Sequence, residues 1–288
     1  MNDRIYPRND RLDNNPSSDL VDRVSADSDI VMLMKLMGCS VSDASIGVNT
    51  AGVMLQRVRA GMTLFHEGAP ANAIYFVRMG TFKSYHTTVD GYEQVVSFAG
   101  RADLLGFDAL CTGRYPTSAV ALDEASVYAL PMKDVAWLGQ RAPDLDRILR
   151  VSVSSQLQRY RELADLMSAA SAEARLARFL LQLSNRMKSQ GLSPLKFSLR
   201  MSRRDIASYL GVAHETISRG FGHLAQAGYV AVKLREIEIM DMAGLHDCAR
   251  GTRRPASDVM PKNGHDRLAV VRSNARGHAC GMRPESLQ

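Results

Sequence analysis

Hydrophobic and polar residues change their period three times along this chain. From Leu55 to Leu130 they alternate in short runs separated by glycines at 61, 68, 80, 91, 100 and 106. Alternation of this kind with glycine at the breaks predicts strands, here Leu55–Val58, Thr63–Phe65, Ala73–Arg78, Thr81–Thr87, Glu93–Phe98 and Ser126–Leu130. Together they imply a small antiparallel barrel or roll. After Pro131 the period becomes helical, with Leu149, Val153, Leu157, Tyr160, Ala164 and Met167 recurring at three- and four-residue steps. Such a heptad-like stripe either packs on its own domain or is shared with a partner. A further helix runs from Ser171 to about Lys188 and ends at Gly191 and Pro194, before a short strand over Leu195–Leu199. In front of the roll, Ile30–Gly38 is apolar and predicts a short helix capping it. The combination is an α+β chain.

The richest stretch is SRRDIASYLGVAHETISRGFGHLAQAGYVAV, from Ser202 to Val232. Ile206, Leu210, Ile217, Phe221 and Leu224 keep helical spacing across Gly211, which marks a turn between two short helices. Ser202 is an N-cap, with Asp205 in the first turn. The second helix carries Glu215, Ser218 and Arg219 at i, i+3 and i+4, on one side of its N-terminal half. Arginine can fork onto guanine O6 and N7, and a carboxylate can accept from the cytosine amino group. The same two charges could instead pair with each other on a solvated face. Tyr229–Lys233 and Glu236–Ile239, following Gly228, read as a hairpin wing, which predicts a winged helix-turn-helix.

The run RRDIASYLGVAHETISR with its GY-V-AVK continuation resembles the DNA-binding domain of the Crp/Fnr superfamily, closer to the Fnr branch. GMTLFHEG, IYFVRMGTFKSY and DLLGFDAL resemble the cyclic-nucleotide-binding β-roll of the same superfamily, so the likeness runs from about Leu55 to Met240. It implies a roll with an N-terminal helix (28–133), a dimerisation helix (134–168) and the winged domain (169–247), while composition alone predicts a disordered start (1–27) and a basic, disordered tail (248–288). The likeness further implies that Glu215, Ser218 and Arg219 read cytosine, thymine and guanine of a TTGAT half-site. Ser202, Arg203 and Thr216 match phosphate-contacting positions, and His214 and Arg204 are additional candidate DNA contacts. The stripe Leu149, Val153, Leu157, Tyr160, Ala164, Met167 becomes the dimer axis, matching a palindrome with half-sites about one helical turn apart. Asp90, Gly91 and Tyr92 lie where the family's roll contacts RNA polymerase.

Charge supports the same reading. The chain carries a net +6. Between 196 and 235 seven basic residues (Lys196, Arg200, Arg203, Arg204, Arg219, Lys233, Arg235) face only Asp205 and Glu215, a footprint suited to phosphate. The charge pattern thus agrees with double-stranded DNA as partner, while a homodimer that contacts RNA polymerase is what the resemblance implies. No apolar run approaches the roughly 20 residues a membrane helix needs, and the start is not a secretory signal, which predicts a cytoplasmic protein.

Several chemistries lack their residues. There is no G-x-x-x-x-G-K-[ST], G-x-S-x-G or H-E-x-x-H pattern, so an enzyme is not expected. Where the resemblance places a glutamate and an Arg-Ser pair for cyclic AMP, this chain has Phe107, Thr117 and Ser118, which argues against cyclic-nucleotide binding. The cysteines, Cys39, Cys111, Cys248 and Cys280, are scattered, and Tyr128 takes the place of the roll cysteine, which argues against a [4Fe-4S] cluster and predicts no metal site. The resemblance to the Fnr branch implies an acidic residue on this helix that opposes dimerisation; uncharged Tyr160 falls near that position, so the dimer is expected without a cofactor. Haem through His66 or His86, thiol oxidation at Cys39 or Cys111, and regulation by abundance stay open. So does a haem or small-molecule module whose helix-turn-helix makes only protein contacts.

Overall fold

A computed structural model describes residues 32–33, 35–37, 52–137, 140, 143–169 and 171–251. The segments 1–27 and 254–288, with Cys39 and Cys280, lie outside the described residues.

Eight strands build the roll as two four-stranded sheets, in the orders β1-β8-β3-β6 and β2-β7-β4-β5. The first contains β1 (Met54–Val58), β8 (Ala125–Pro131), β3 (Ala73–Met79) and β6 (Leu104–Leu105), and the second β2 (Thr63–Phe65), β7 (Ser118–Ala121), β4 (Phe82–Thr87) and β5 (Glu93–Ala99). All pairings are antiparallel. β3 and β8 are nearly continuous buried runs, ending the polar/apolar alternation where both faces are covered. Gly80 (φ 90°) permits a close approach: a Cβ there would sit 2.5 Å from that of Ala125. β6 and β7 were not predicted; β6 is two residues long, and β7 is the Ser-Ala-Val-Ala run beside the supposed nucleotide-contacting segment.

A short helix α1 (Met132–Val135) precedes α2 (Pro143–Met167), so the long helix starts nine residues later than position 134. Pro143 opens it, where a missing N–H costs nothing. Leu145, Ile148 and Leu149 of α2 sink into the roll core with Leu33, Ile74 and Phe76.

The C-terminal half has its own core. Its elements are α3 (Ala172–Ser189), β9 (Lys196–Ser198), α4 (Arg203–Leu210), α5 (His214–Gln226), β10 (Val230–Lys233), β11 (Glu236–Ile239) and α6 (Met242–Ala249). Leu176, Leu180, Ile206, Leu210, Ile217, Leu224 and Ile237 are buried together, and the wing is a three-stranded sheet in the order β10-β11-β9.

The two halves meet along β5 and α4. Ser208 accepts a hydrogen bond from Val95 N (2.9 Å) and donates one to Glu93 O (2.9 Å), while Gln94 Nε2 donates to Ser208 O (2.6 Å). Lys83 bridges Asp205 (3.1 Å) and Glu93 (3.0 Å). Rings of Phe98, Phe179 and Tyr209 pack at centroid distances of 5.1 to 6.3 Å. Burial pushes the Tyr209 hydroxyl up to about 12, with Glu162 adding to the shift. A buried carboxylate, Asp103, lies between the guanidinium groups of Arg159 on α2 and Arg186 on α3.

Candidate nucleic-acid interface

α4 and α5 form the helix-turn-helix that the spacing predicts. Ser202 Oγ accepts from Asp205 N (3.1 Å) and Asp205 Oδ2 accepts from Ser202 N (2.9 Å), a reciprocal capping box that fixes where α4 begins. Gly211, at φ 62°, caps α4 in the left-handed conformation and lets the chain turn. α5 then starts at His214 behind Ala213, whose side chain makes no cap. Thr216 N donates to Ala213 O (3.0 Å), so it is the amides of His214 and Glu215 that are left to solvent or to an anion.

On α5, Ile217, Gly220, Phe221 and Leu224 turn inward, while His214, Glu215, Ser218 and Arg219 are all exposed. Among the described residues no hydrogen bond or ion pair engages the side chain of Glu215, Ser218 or Arg219. Glu215 and Arg219 thus do not pair with each other, the alternative their spacing allowed. Thr216 is half-buried and Arg204 exposed.

Arg203 is placed differently from a free surface cation. Its guanidinium carbon lies 3.3 Å from the Phe221 ring centroid, and burial pushes its ionisation down. Its Nη1 is buried without a partner. Ser202 Oγ also donates to Asp205 Oδ2 (2.6 Å), so its hydroxyl is occupied by the cap. Asp205 would rise on burial, but hydrogen bonds from the side chain and backbone of Ser202, then Lys83, outweigh this and hold it below its ordinary value.

The stripe on α2 divides by environment. Leu149 is buried in the roll core, Val153 packs beside it, and Met167 packs against the C-terminal core. Leu157 (55% exposed), Tyr160 (43%) and Ala164 face outward between them. Asp90, Gly91 and Tyr92 form the exposed tip joining β4 to β5: Thr88 N donates to Tyr92 O (2.9 Å), and the Thr88 hydroxyl donates to Asp90, lowering that carboxyl.

The roll's interior bears on the cyclic-nucleotide question. Phe65 stacks on Tyr115 at 4.1 Å and on Tyr75 at 5.7 Å, and a Cβ on Gly106 would lie 2.8 Å from the Tyr115 ring. The Ser118 hydroxyl accepts from Glu67 N (2.9 Å), and Phe107 is half-buried. These residues do not fit a cyclic phosphate, since no guanidinium stands beside Ser118 at Thr117. His66 is exposed and His86 half-buried. Cys111 ends a 3-10 turn of the roll and Cys248 lies in α6, and among the described residues no three His, Cys, Asp or Glu side chains are grouped as metal ligands. Likewise no helix among them is long and apolar enough to cross a membrane.

Sequence reasoning did not single out Ser208, Gln94, Lys83, Asp103 or Arg186. Only Asp103, an acid between Ala102 and the apolar pair Leu104-Leu105, offered a local sign of burial.

A roll joined by a long helix to a winged helix-turn-helix with a basic, uncommitted reading face defines a DNA-binding regulator. Comparison with known proteins bears this out: residues 55–142 match the cyclic nucleotide-binding domain, and 174–248 the Crp-like helix-turn-helix domain. The chain belongs to the Crp/Fnr family of DNA-binding transcriptional regulators. It is 37% identical over 199 residues to the fumarate and nitrate reduction regulatory protein of Escherichia coli K12, covering 69% of this chain and 80% of that one. The Klebsiella oxytoca fumarate nitrate reduction regulatory protein is 38% identical over 182 residues, 63% and 73% of the two chains. Among solved structures, FixK2 from Bradyrhizobium japonicum superposes with a TM-score of 0.61 at 25% identity, over 68% of this chain and 96% of that one. A putative cAMP-binding regulatory protein from Silicibacter pomeroyi gives 0.51 at 29%, over 72% and 89%.

Proposed function

We propose that the protein works as a homodimer on the palindrome TTGAT-N4-ATCAA. Arg219 forks onto guanine O6 and N7, Glu215 accepts from the cytosine amino group and Ser218 contacts thymine. The carrying observation is that these three groups stand together on one exposed face of α5 with no partner among the described residues. His214, Arg204, Thr216 and Ser202 flank them, close to the uncapped start of α5, where backbone phosphate is favoured. Arg203 must leave the Phe221 ring to reach a phosphate.

The exposed stripe positions Leu157, Tyr160 and Ala164 are the dimer seam, and no cofactor is needed to form it, since none of the three carries a charge. The β4–β5 tip around Asp90, Gly91 and Tyr92 contacts RNA polymerase. The roll takes no cyclic nucleotide, because aromatic rings fill it and the phosphate-holding side chains are replaced. Homology to transcription regulators supports a non-enzymatic role.

Fluorescence anisotropy with TTGAT-N4-ATCAA and a scrambled duplex tests the reading. Preference for the palindrome by a factor on the order of 10³ is expected at physiological salt. Equal affinity for both duplexes would overturn it.

A further inference from the structure

We infer that the half-open cavity bounded by the roll, α2, α3 and Leu36–Met37 is a binding site for a small phosphate-bearing anion, distinct from the roll interior. The cavity measures about 410 Å³, within the range of small-molecule sites. Its polar lining includes Arg101, Asp103, Ser152, Gln156, Arg159 and Arg186.

Four lining residues, Ser152, Ser155, Gln156 and Arg159, recur at i, i+3, i+4 and i+7, so α2 turns one polar face into the space. Two donors on that face have no partner. Ser152 is only 5% exposed and its hydroxyl makes no hydrogen bond, and Nη1 of Arg159 is buried and equally unpartnered. Buried polar atoms are almost always satisfied, so these two orphan donors call for an occupant; the third atom in the cavity without a hydrogen bond, Asp103 Oδ1, is held in its ion pair with Arg159.

The neighbouring groups are already committed. Gln156 Nε2 donates to Leu104 O (2.9 Å), Ser155 Oγ to Val151 O (3.0 Å) and Arg186 Nη1 to Phe98 O (3.4 Å). Asp103 accepts from Gly100 N (2.7 Å) and is shared by Arg159 and Arg186.

Charge selects the occupant. The lining holds three guanidinium groups and one carboxylate. Glu162, the other acid acting on Arg159, lies outside the lining and leaves the balance positive. Side chains on a helix lean toward its N-terminus, so Arg159 reaches back toward Ser152, whose Cα is about 10 Å away along the axis. A hydroxyl, a guanidinium edge and exposed Arg101 are all donors, and an oxyanion with several divergent acceptors satisfies them where one carboxylate cannot. Because the lining comes from the roll, α2 and α3, a bound anion ties the sensor half to the DNA-binding half.

The test is calorimetric titration of the full-length protein with inorganic pyrophosphate, against sodium chloride at matched ionic strength. Saturable binding is expected in the millimolar range or tighter, weakened about tenfold in Ser152→Ala, which loses one hydrogen bond to a charged group. Arg101→Gln, at an exposed position that leaves the fold alone, is expected to weaken it similarly. Absence of saturable binding by wild type, or wild-type affinity in both variants, would overturn the site. The measurement involves no DNA, so its failure leaves the proposed palindrome reading untouched.

Discussion

The two helices of the helix-turn-helix face different things. α4 is spent on the protein itself: Ser208 and Asp205 tie it to Glu93, Gln94, Val95 and Lys83 of the roll. α5 makes its apolar contacts inward and leaves Glu215, Ser218 and Arg219 unengaged. The difference separates two jobs within one motif, since a side chain already satisfied inside the molecule contributes to its architecture, whereas an exposed unpaired one is free for a partner. Substitutions on committed residues should therefore change stability, and substitutions on α5 should change binding.

The largest stability effect is expected at Asp103, the carboxylate that joins Arg159 and Arg186 across the two halves. Its removal strands two guanidinium groups, and Asp103→Ala should cost about 3 kcal/mol or more in urea unfolding. A variant as stable as wild type would erase the distinction drawn here. Next, Ser208→Val leaves Val95 N and Glu93 O without their partner, for a loss of about 2 kcal/mol. DNA discrimination per folded molecule should stay as it was.

Acid provides a third probe. Asp205 ionises below its ordinary value of 3.8 in the folded protein, so its contribution to stability is present above that value and disappears as pH falls through the lower folded value. Unfolding free energy of wild type should thus drop more steeply below about pH 4 than that of Asp205→Asn, which lacks the titrating group. Parallel curves would deny Asp205 this role. The smallest effect belongs to Lys83→Met: Asp205 keeps its hydrogen bonds from Ser202 and Glu93 is half-exposed, so neither carboxylate is stranded, and about 1 kcal/mol or less is expected, shrinking as salt rises.

Much of this was legible in the chain, for reasons that differ by element. β2 (Thr63–Phe65), the wing and both helix-turn-helix helices carry local signals: alternation, a hairpin, a capping serine and a turn glycine. β6 was too short to show a period, and β7 is made of small residues without alternation. The stripe on α2 was visible, but its ends were not separable by spacing alone: Leu149 and Met167 meet the protein's own cores, and only Leu157, Tyr160 and Ala164 stay outside. Docking of α4 on β5 rests on Ser208 and Gln94, polar residues with no local pattern, and long-range pairing of that kind leaves no mark in sequence. Arg203 had the right type for phosphate and stacks on Phe221 instead, because the ring lies about two turns into α5, beside the start of α4.

The most direct test of the reading face is a double-mutant cycle between Arg219→Ala and replacement of the guanine in each TTGAT half-site. Anisotropy should show each change alone costing about 1 to 3 kcal/mol per half-site and the pair costing little more than either, since the same contact is removed twice. Fully additive losses would mean that Arg219 does not read that base, and would contradict the account.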